Sequence, residues 1–201
     1  MSGLIPQYPL AFQNADSYHP RMSLYGASTE YVLHSLLWLV DHPEPVSSLD
    51  LAELQGIPAA FTAKLLPKLE KAGLLSASEG LRGGYQLAKP AEAISVLDVV
   101  DAVGGEKSLF NCQEIRGRCA LFNDRPPSWA TQGVCAIHHV MLRAEQAMRQ
   151  ELAQTSLAAL ATSVRDKAPP PFLDAAQSWF EERAQTRRTS KVRQQRRSAL
   201  T

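Results

Sequence analysis

Residues 47–87 read SSLDLAELQGIPAAFTAKLLPKLEKAGLLSASEGLRGGYQL, and two helices, a glycine turn and a hairpin follow from them in that order. Ser47-Ser48 opens a short helix, with Asp50 three residues after Ser47 in a capping-box arrangement. Leu51 and Leu54 face inward. Gly56 stops this helix, and Pro58 starts a second that carries Phe61, Leu65 and Leu69 on one face and closes at Gly73. Pro67 falls inside the second helix, where a prolyl ring costs about 3 kcal/mol, so a kink or local unwinding is expected there. Helix, tight turn, helix is the helix-turn-helix plan. Two short β-prone stretches follow, 74–78 and 85–88, joined by Glu79-Gly80-Leu81-Arg82-Gly83-Gly84, whose glycines suit a hairpin tip needing positive φ. A hairpin directly after a helix-turn-helix is a wing.

Upstream, residues 1–22 lack periodicity and read as a flexible leader, with Met22 a second candidate start. A helical pattern runs from 23, with Ser28 as its expected N-cap and Tyr31, Leu33, Leu36, Leu37 and Val40 at helical spacing. His42-Pro43-Glu44-Pro45 ends it, because each proline excludes the helical region for the residue before it. Downstream, Ser95 caps a further helix with Asp98 three residues on, Val96, Val100 and Val103 form its buried stripe, and Gly104-Gly105 terminates it. Residues 106–136 read as a loop that holds Cys112, Cys119 and Cys135.

From 137 the longest helical pattern begins, with Ile137, Met141, Ala144, Met148 and Leu152 three and four residues apart. It exceeds what one small core covers, so its expected partner is a second copy of the chain. Pro169-Pro170-Pro171 reads as a linker, 172–183 as a short helix, and the basic remainder as disordered. The expected plan is mainly α with a small β-wing. Residues 1–22 form the leader, 23–105 a winged helix-turn-helix domain, 106–136 the cysteine loop, 137–165 a dimerisation helix, and 166–201 the linker, short helix and tail.

The chain has 201 residues, 45% hydrophobic and 20% charged, enough to bury a core and neither disordered nor fibrous in composition. No apolar run approaches a membrane span and no secretory signal pattern is present, so a cytoplasmic protein with no membrane partner is expected. Three cysteines in such a chain point to thiol or metal chemistry rather than a disulfide framework. The net charge of +1 conceals an asymmetry: residues 183–201 hold seven basic groups and no acid, while 1–182 hold 14 basic and 20 acidic groups. Residues 23–104 alone carry five basic and ten acidic groups, whereas a DNA-binding module usually has a basic face. The basic end could supply counterion release from outside the fold. No phosphate loop, nucleophile elbow or metallohydrolase motif is present, so an enzyme is not expected.

Leu65-Leu66-Pro67-Lys68-Leu69, Ala72-Gly73-Leu74-Leu75, Gly80-Leu81-Arg82-Gly83-Gly84-Tyr85-Gln86-Leu87 and the stretch 94–103 together resemble the winged-helix regulators of the IscR/NsrR family. The resemblance covers about 23–162 and leaves out the leader and the tail. It implies a homodimeric regulator that binds double-stranded operator DNA and senses redox, nitric oxide or iron status through an iron–sulfur cluster, [2Fe-2S] favoured over [4Fe-4S]. The family's cluster cysteines lie in the loop before the long helix, where Cys112, Cys119 and Cys135 lie here; thiolates are the usual ligands of such clusters.

The fourth ligand is open. His138, three residues after Cys135, matches the IscR-like pattern. Glu30 and His34, four apart and hence on one helical face, resemble the RsrR-like arrangement, in which they would meet two cysteines of a second subunit and leave Cys119 or Cys112 a non-ligand. Fifteen residues separate Cys119 from Cys135 but only six separate Cys112 from Cys119, a spacing that favours the RsrR-like set.

DNA contact is expected from the first turn of the second helix in the major groove, through Pro58, Ala59, Ala60, Thr62 and Lys64. Arg82 is expected at the wing tip, and Lys68 and Lys71 on phosphate. Two other readings stay in play. One is a cluster-free winged-helix regulator that responds through its thiols or a small ligand, and the other is a dimeric interaction protein that has lost DNA binding.

Overall fold

A computed structural model describes residues 24–80, 83–105 and 108–198, with side chains placed as far as Arg187 and at Thr189. The expected leader, 1–22, and the wing-tip Arg82 lie outside the described residues. Helix α1 (Ala27–Leu37) starts one residue after Gly26, so Ser28 lies inside the helix rather than capping it. Helices α2 (Ser48–Gln55) and α3 (Ala59–Lys71) form the helix-turn-helix. Ser47 Oγ accepts the Asp50 amide, and Gly56 closes α2 at φ 65°, a left-handed conformation that a Cβ would disfavour.

The buried face of α3 is Thr62, Leu65, Leu66 and Leu69. Phe61, expected inside, is 42% exposed and sits edge-on to Tyr31 with centroids 5.7 Å apart. The expected unwinding at Pro67 is absent, as α3 runs through it unbroken. Pro67 and Ala63, whose carbonyl loses its amide donor to the ring, are both exposed. Water can satisfy that carbonyl, so the helix need not open.

Strands β1 (Leu75–Ser78) and β2 (Gly84–Leu87) pair antiparallel, with Leu75 opposite Leu87 and Ser78 opposite Gly84. Val46 joins them, donating its amide to the Tyr85 carbonyl at 2.9 Å and accepting the Tyr85 amide at 2.8 Å. Of the hairpin glycines, Gly80 has the expected positive φ of 99°, but Gly83 and Gly84 do not. Gly84 is needed for a different reason: a Cβ there would lie 2.6 Å from the Val46 backbone. The wing is thus clipped to the segment that enters α2.

Helix α4 (Val96–Gly104) has the full capping box, Ser95 accepting the Asp98 amide while Asp98 accepts the Ser95 amide. It buries Val96, Val99, Val100 and Val103. The core gathers Leu36 of α1, Leu51 of α2, Leu66 and Leu69 of α3, Val99 of α4 and the connecting Ile94, each fully buried.

The expected continuous helix over 137–165 is two helices. After the one-turn α5 (Ser128–Thr131), α6 spans Ala136–Gln154 and α7 spans Leu157–Arg165. At the break the backbone turns extended and pairs with the start of α4: Val96 donates to the Thr155 carbonyl and Leu157 to the Ile94 carbonyl, at 2.9 and 2.8 Å. Ser156 caps α7 through the Ala159 amide, and Leu157 enters the core. Thr155-Ser156 was the cap signal that the apolar periodicity masked.

The largest departure is at the C-terminal side. The proline linker and disordered tail are replaced by one helix, α8 (Pro170–Ser198), of 29 residues. Two of the prolines occupy its first turn, where a missing amide costs nothing. Ala176 and Phe180 are buried, and Phe180 lies edge-on to Trp38 and His42 at 6.2 and 5.4 Å. These contacts give the helix an anchor that composition alone does not reveal.

Leu66→Ala should cost about 3 kcal/mol of unfolding free energy, as for other fully buried leucines, while Leu49→Ala should stay within about 0.5 kcal/mol. Leu66 is fully buried and Leu49 is 47% exposed. Urea unfolding of the two variants side by side checks the packing; equal losses would contradict it.

Candidate DNA-binding face and cysteine loop

Helix α3 presents a first turn made of Pro58, Ala59, Ala60 and Phe61, with Lys64 one turn on, all exposed. Thr62 is not part of that face. It is 2% exposed and donates its hydroxyl to the Ala59 carbonyl at 2.9 Å, so its polar group is spent inside the helix. Lys68 donates from Nζ to the Val103 carbonyl at 3.1 Å, capping the C-terminal end of α4. Its reach to a phosphate is thereby reduced, and Lys71 and Lys64 remain as exposed cations of α3. The reading face is apolar and small, suited to thymine methyl groups. Phe61 is an added member that sequence reasoning had placed in the core; its partner Tyr31 lies on α1, out of reach of a local pattern.

The acidity of the module is partly answered from α8. Asp50 of α2 is only 2% exposed, yet it is ionisable and must be paired. Arg187 meets one carboxylate oxygen and Arg183 Nε lies 3.5 Å from the other. Arg183 also pairs with Glu53 one turn along α2 and stacks over the Trp179 ring at 5.1 Å.

The cysteine loop is pinned at its start and braced across its middle. Glu145 of α6 accepts the Leu109 amide at 3.0 Å and the Ser108 hydroxyl at 3.3 Å. In the middle, Arg116 pairs with Glu114 at 2.5 and 3.0 Å and donates to the carbonyls of Gly133, Thr131 and Gln132 at 2.9, 3.3 and 3.4 Å. The hydrogen bond from Arg116 holds the Glu114 carboxyl below its usual range. The Glu114 carboxylate, with lesser contributions from Cys135 and Cys112, raises the guanidinium in turn.

Cys112 and Cys135 are therefore both within electrostatic reach of Arg116, and His138 within reach of Glu114. His138 also stacks obliquely on Phe110 at 5.9 Å. All three thiols are free, Cys112 and Cys135 half-buried and Cys119 exposed.

Of the six candidate ligands, Cys112, Cys135 and His138 fall within the electrostatic reach of the Arg116–Glu114 pair. Glu30 and His34 are exposed on α1, and His34 lines a cavity between α1, α7 and α8 rather than facing the cysteines. Among the described residues no three histidine, cysteine or acidic side chains converge as a metal site. The donors suit an iron–sulfur cluster in kind, since thiolates are its preferred ligands. They do not suit it in placement within one chain.

Helix α6 buries none of its residues, and Ile137, Val140 and Leu142 are 66%, 61% and 43% exposed. No helix among the described residues is long and apolar enough to cross a membrane.

Comparison with known proteins agrees with this geometry. The family described as Rrf2, iron-dependent transcriptional regulator, matches residues 25–163. The protein rrf2 of Nitratidesulfovibrio vulgaris is 35% identical over 117 residues, 58% of this chain and 71% of the relative. The regulator IscR of Erwinia tasmaniensis is 36% identical over 91 residues, 45% of this chain, which spans about half (52%) of that relative. Among solved structures, the T. potens IscR superposes with a TM-score of 0.55 at 21% identity, covering 76% of this chain and 96% of that one. CymR, the global cysteine regulator of B. subtilis, gives 0.54 at 21% identity, covering 71% and 97%.

Arg116→Gln should release the 131–133 segment. Amide hydrogen exchange there should rise by about tenfold or more, with the urea midpoint of the whole chain unchanged. Unchanged exchange would mean that the loop is held by something other than this arginine.

Proposed function

Because the chain belongs to the Rrf2 family of transcriptional regulators, we propose that it binds operator DNA as a homodimer and reports a chemical signal through its cysteine loop. The observation that carries the DNA reading is the exposed first turn of α3 beside a wing clipped to the helix-turn-helix by the Val46–Tyr85 pairing. In this motif the first turn of the second helix enters the major groove. Ala59, Ala60 and Phe61 then meet thymine methyls, Pro58 sets the entry of the helix, and Lys64 and Lys71 meet phosphate. Ile137 and Val140, exposed one turn apart on α6, support dimerisation along that helix, since uncovered aliphatic side chains on one helical face mark an interface.

The signal reading is an iron–sulfur cluster on Cys112, Cys119 and Cys135. In the IscR-like arrangement His138 would be the fourth ligand; in the RsrR-like one Glu30 and His34 of the partner subunit would join two of the cysteines across the dimer. When bound, such a cluster supplies sensitivity to oxidants, nitric oxide and iron supply. The protein's own part is clearer. Arg116 fixes the segment leading into Cys135, and Cys135 is the N-cap residue of α6. Any change at these thiols therefore bears directly on the helix proposed to join the two subunits, and through the Arg149–Asp101 pair at 2.8 Å on α4 of the DNA-binding module.

A second reading is favoured by one observation. With two half-buried thiols within electrostatic reach of one arginine, direct thiol chemistry without a metal is a second use of the loop.

Two measurements test these readings. Ala60→Asp places a charge on the exposed turn of α3 where the helix dipole tolerates it, so the fold should hold. A gel shift on the protein's own upstream DNA should weaken by about tenfold or more, the scale of one lost base contact. Equal binding would remove α3 from the interface.

Protein purified without oxygen should carry iron and sulfide with visible absorption bands, both lost in Cys135→Ala. A colourless, iron-free preparation would sink the cluster and leave the thiol reading.

A further inference from the structure

We infer that α8 is a second DNA-contacting element, a basic arm docked on the helix-turn-helix that supplies the phosphate contacts the acidic module lacks. The inference goes beyond the reading above, in which only α3 is given contacts to DNA. Three observations carry it.

First, α8 is fixed to α2, the first helix of the helix-turn-helix. Phe180 and Ala176 seat it against Trp38 and His42, and Arg183 and Arg187 pair with Glu53 and the buried Asp50 of α2. In a helix-turn-helix the first helix, here α2, crosses the DNA backbone while the second enters the groove. An arm pinned to α2 is therefore held next to phosphate.

Second, the helix continues from that anchor to Ser198, a further eleven residues beyond Arg187 or about 16 Å at helical rise. That segment carries Arg188, Lys191, Arg193, Arg196 and Arg197, and no acid follows Glu182 anywhere in the chain.

Third, the charge is complementary to duplex DNA and the composition is wrong for the competing surfaces. Residues 23–104 hold ten acids against five bases, so counterion release from the module alone is small. Between 183 and 198 the only aliphatic side chains are Ala184 and Val192. The segment thus has no apolar face with which to enter a lipid interface. It has no aromatic residue on which single-stranded bases would stack.

The test is fluorescence anisotropy of a labelled 30-base-pair duplex of arbitrary sequence, titrated with the full chain across a series of KCl concentrations. The comparison is the variant with Arg188, Lys191, Arg193, Arg196 and Arg197 all changed to Gln, which keeps helix propensity. The log–log salt slope should flatten by about 3 to 4 per chain, since each phosphate contact contributes about 0.9. Affinity at low salt should fall by more than tenfold. Unchanged slope and affinity overturn the assignment. So does tighter binding by the variant, which would make α8 a mask over the module. Equal or tighter arm-dependent binding of anionic vesicles or single-stranded RNA by the natural chain would overturn it in favour of those partners.

Phe180→Ala keeps every cation but removes the anchoring ring, and should weaken duplex binding by a smaller factor. No effect would show a free tail and end the docked-arm assignment. Ala60→Asp separates this inference from the operator reading, because it should abolish sequence preference and leave the arm's share of the salt slope intact.

Discussion

The structure depends on one packing constraint: Leu36, Leu51, Leu66, Leu69, Ile94 and Leu157 must leave water together. They come from α1, α2, α3, the segment before α4, and α7, and each is at most 1% exposed. At roughly 1.5–3 kcal/mol per buried side chain, no single helix of this length holds its shape without the others. The exposed turn of α3 points outward because Leu65, Leu66 and Leu69 point inward. The break between α6 and α7 exists because Leu157 has to reach the same core while α6 lies outside it.

Charge is arranged around that core with less freedom than the near-zero total implies. A carboxylate as buried as Asp50 requires a cation, and the partners are two arginines from a helix that begins 120 residues later. The same pairing that satisfies Asp50 orders the helix carrying most of the basic residues at the C-terminal side. An acidic module and a basic end, which look like two unrelated features in composition, are one arrangement in space.

The cysteine loop follows a different logic, since it contributes almost nothing to the core. Its order comes from polar groups: Glu145 at its start and Arg116 across its middle. Such a segment opens at lower free energy than the packed helices. Its apolar residues Leu121, Trp129 and Val134 are exposed rather than packed into the core.

Local chemistry determined much of this. The Ser47 and Ser95 caps, the Gly56 turn, the two-stranded wing, the valine stripe of α4 and the placement of the cysteines before a long helix were all legible, because each depends on residues within one or two turns of one another. What only the tertiary structure decided depends on partners far along the chain. Thr62 and Phe61 exchange places because α1 supplies Tyr31 beside α3. Gly84 is required by the approach of Val46 rather than by its own φ. His34 faces a cavity under α8 rather than a thiol. The basic end is a helix because Trp38, His42 and Asp50 give it a surface to dock on. Periodicity and capping report how a segment folds against itself, whereas burial and charge pairing report what it folds against.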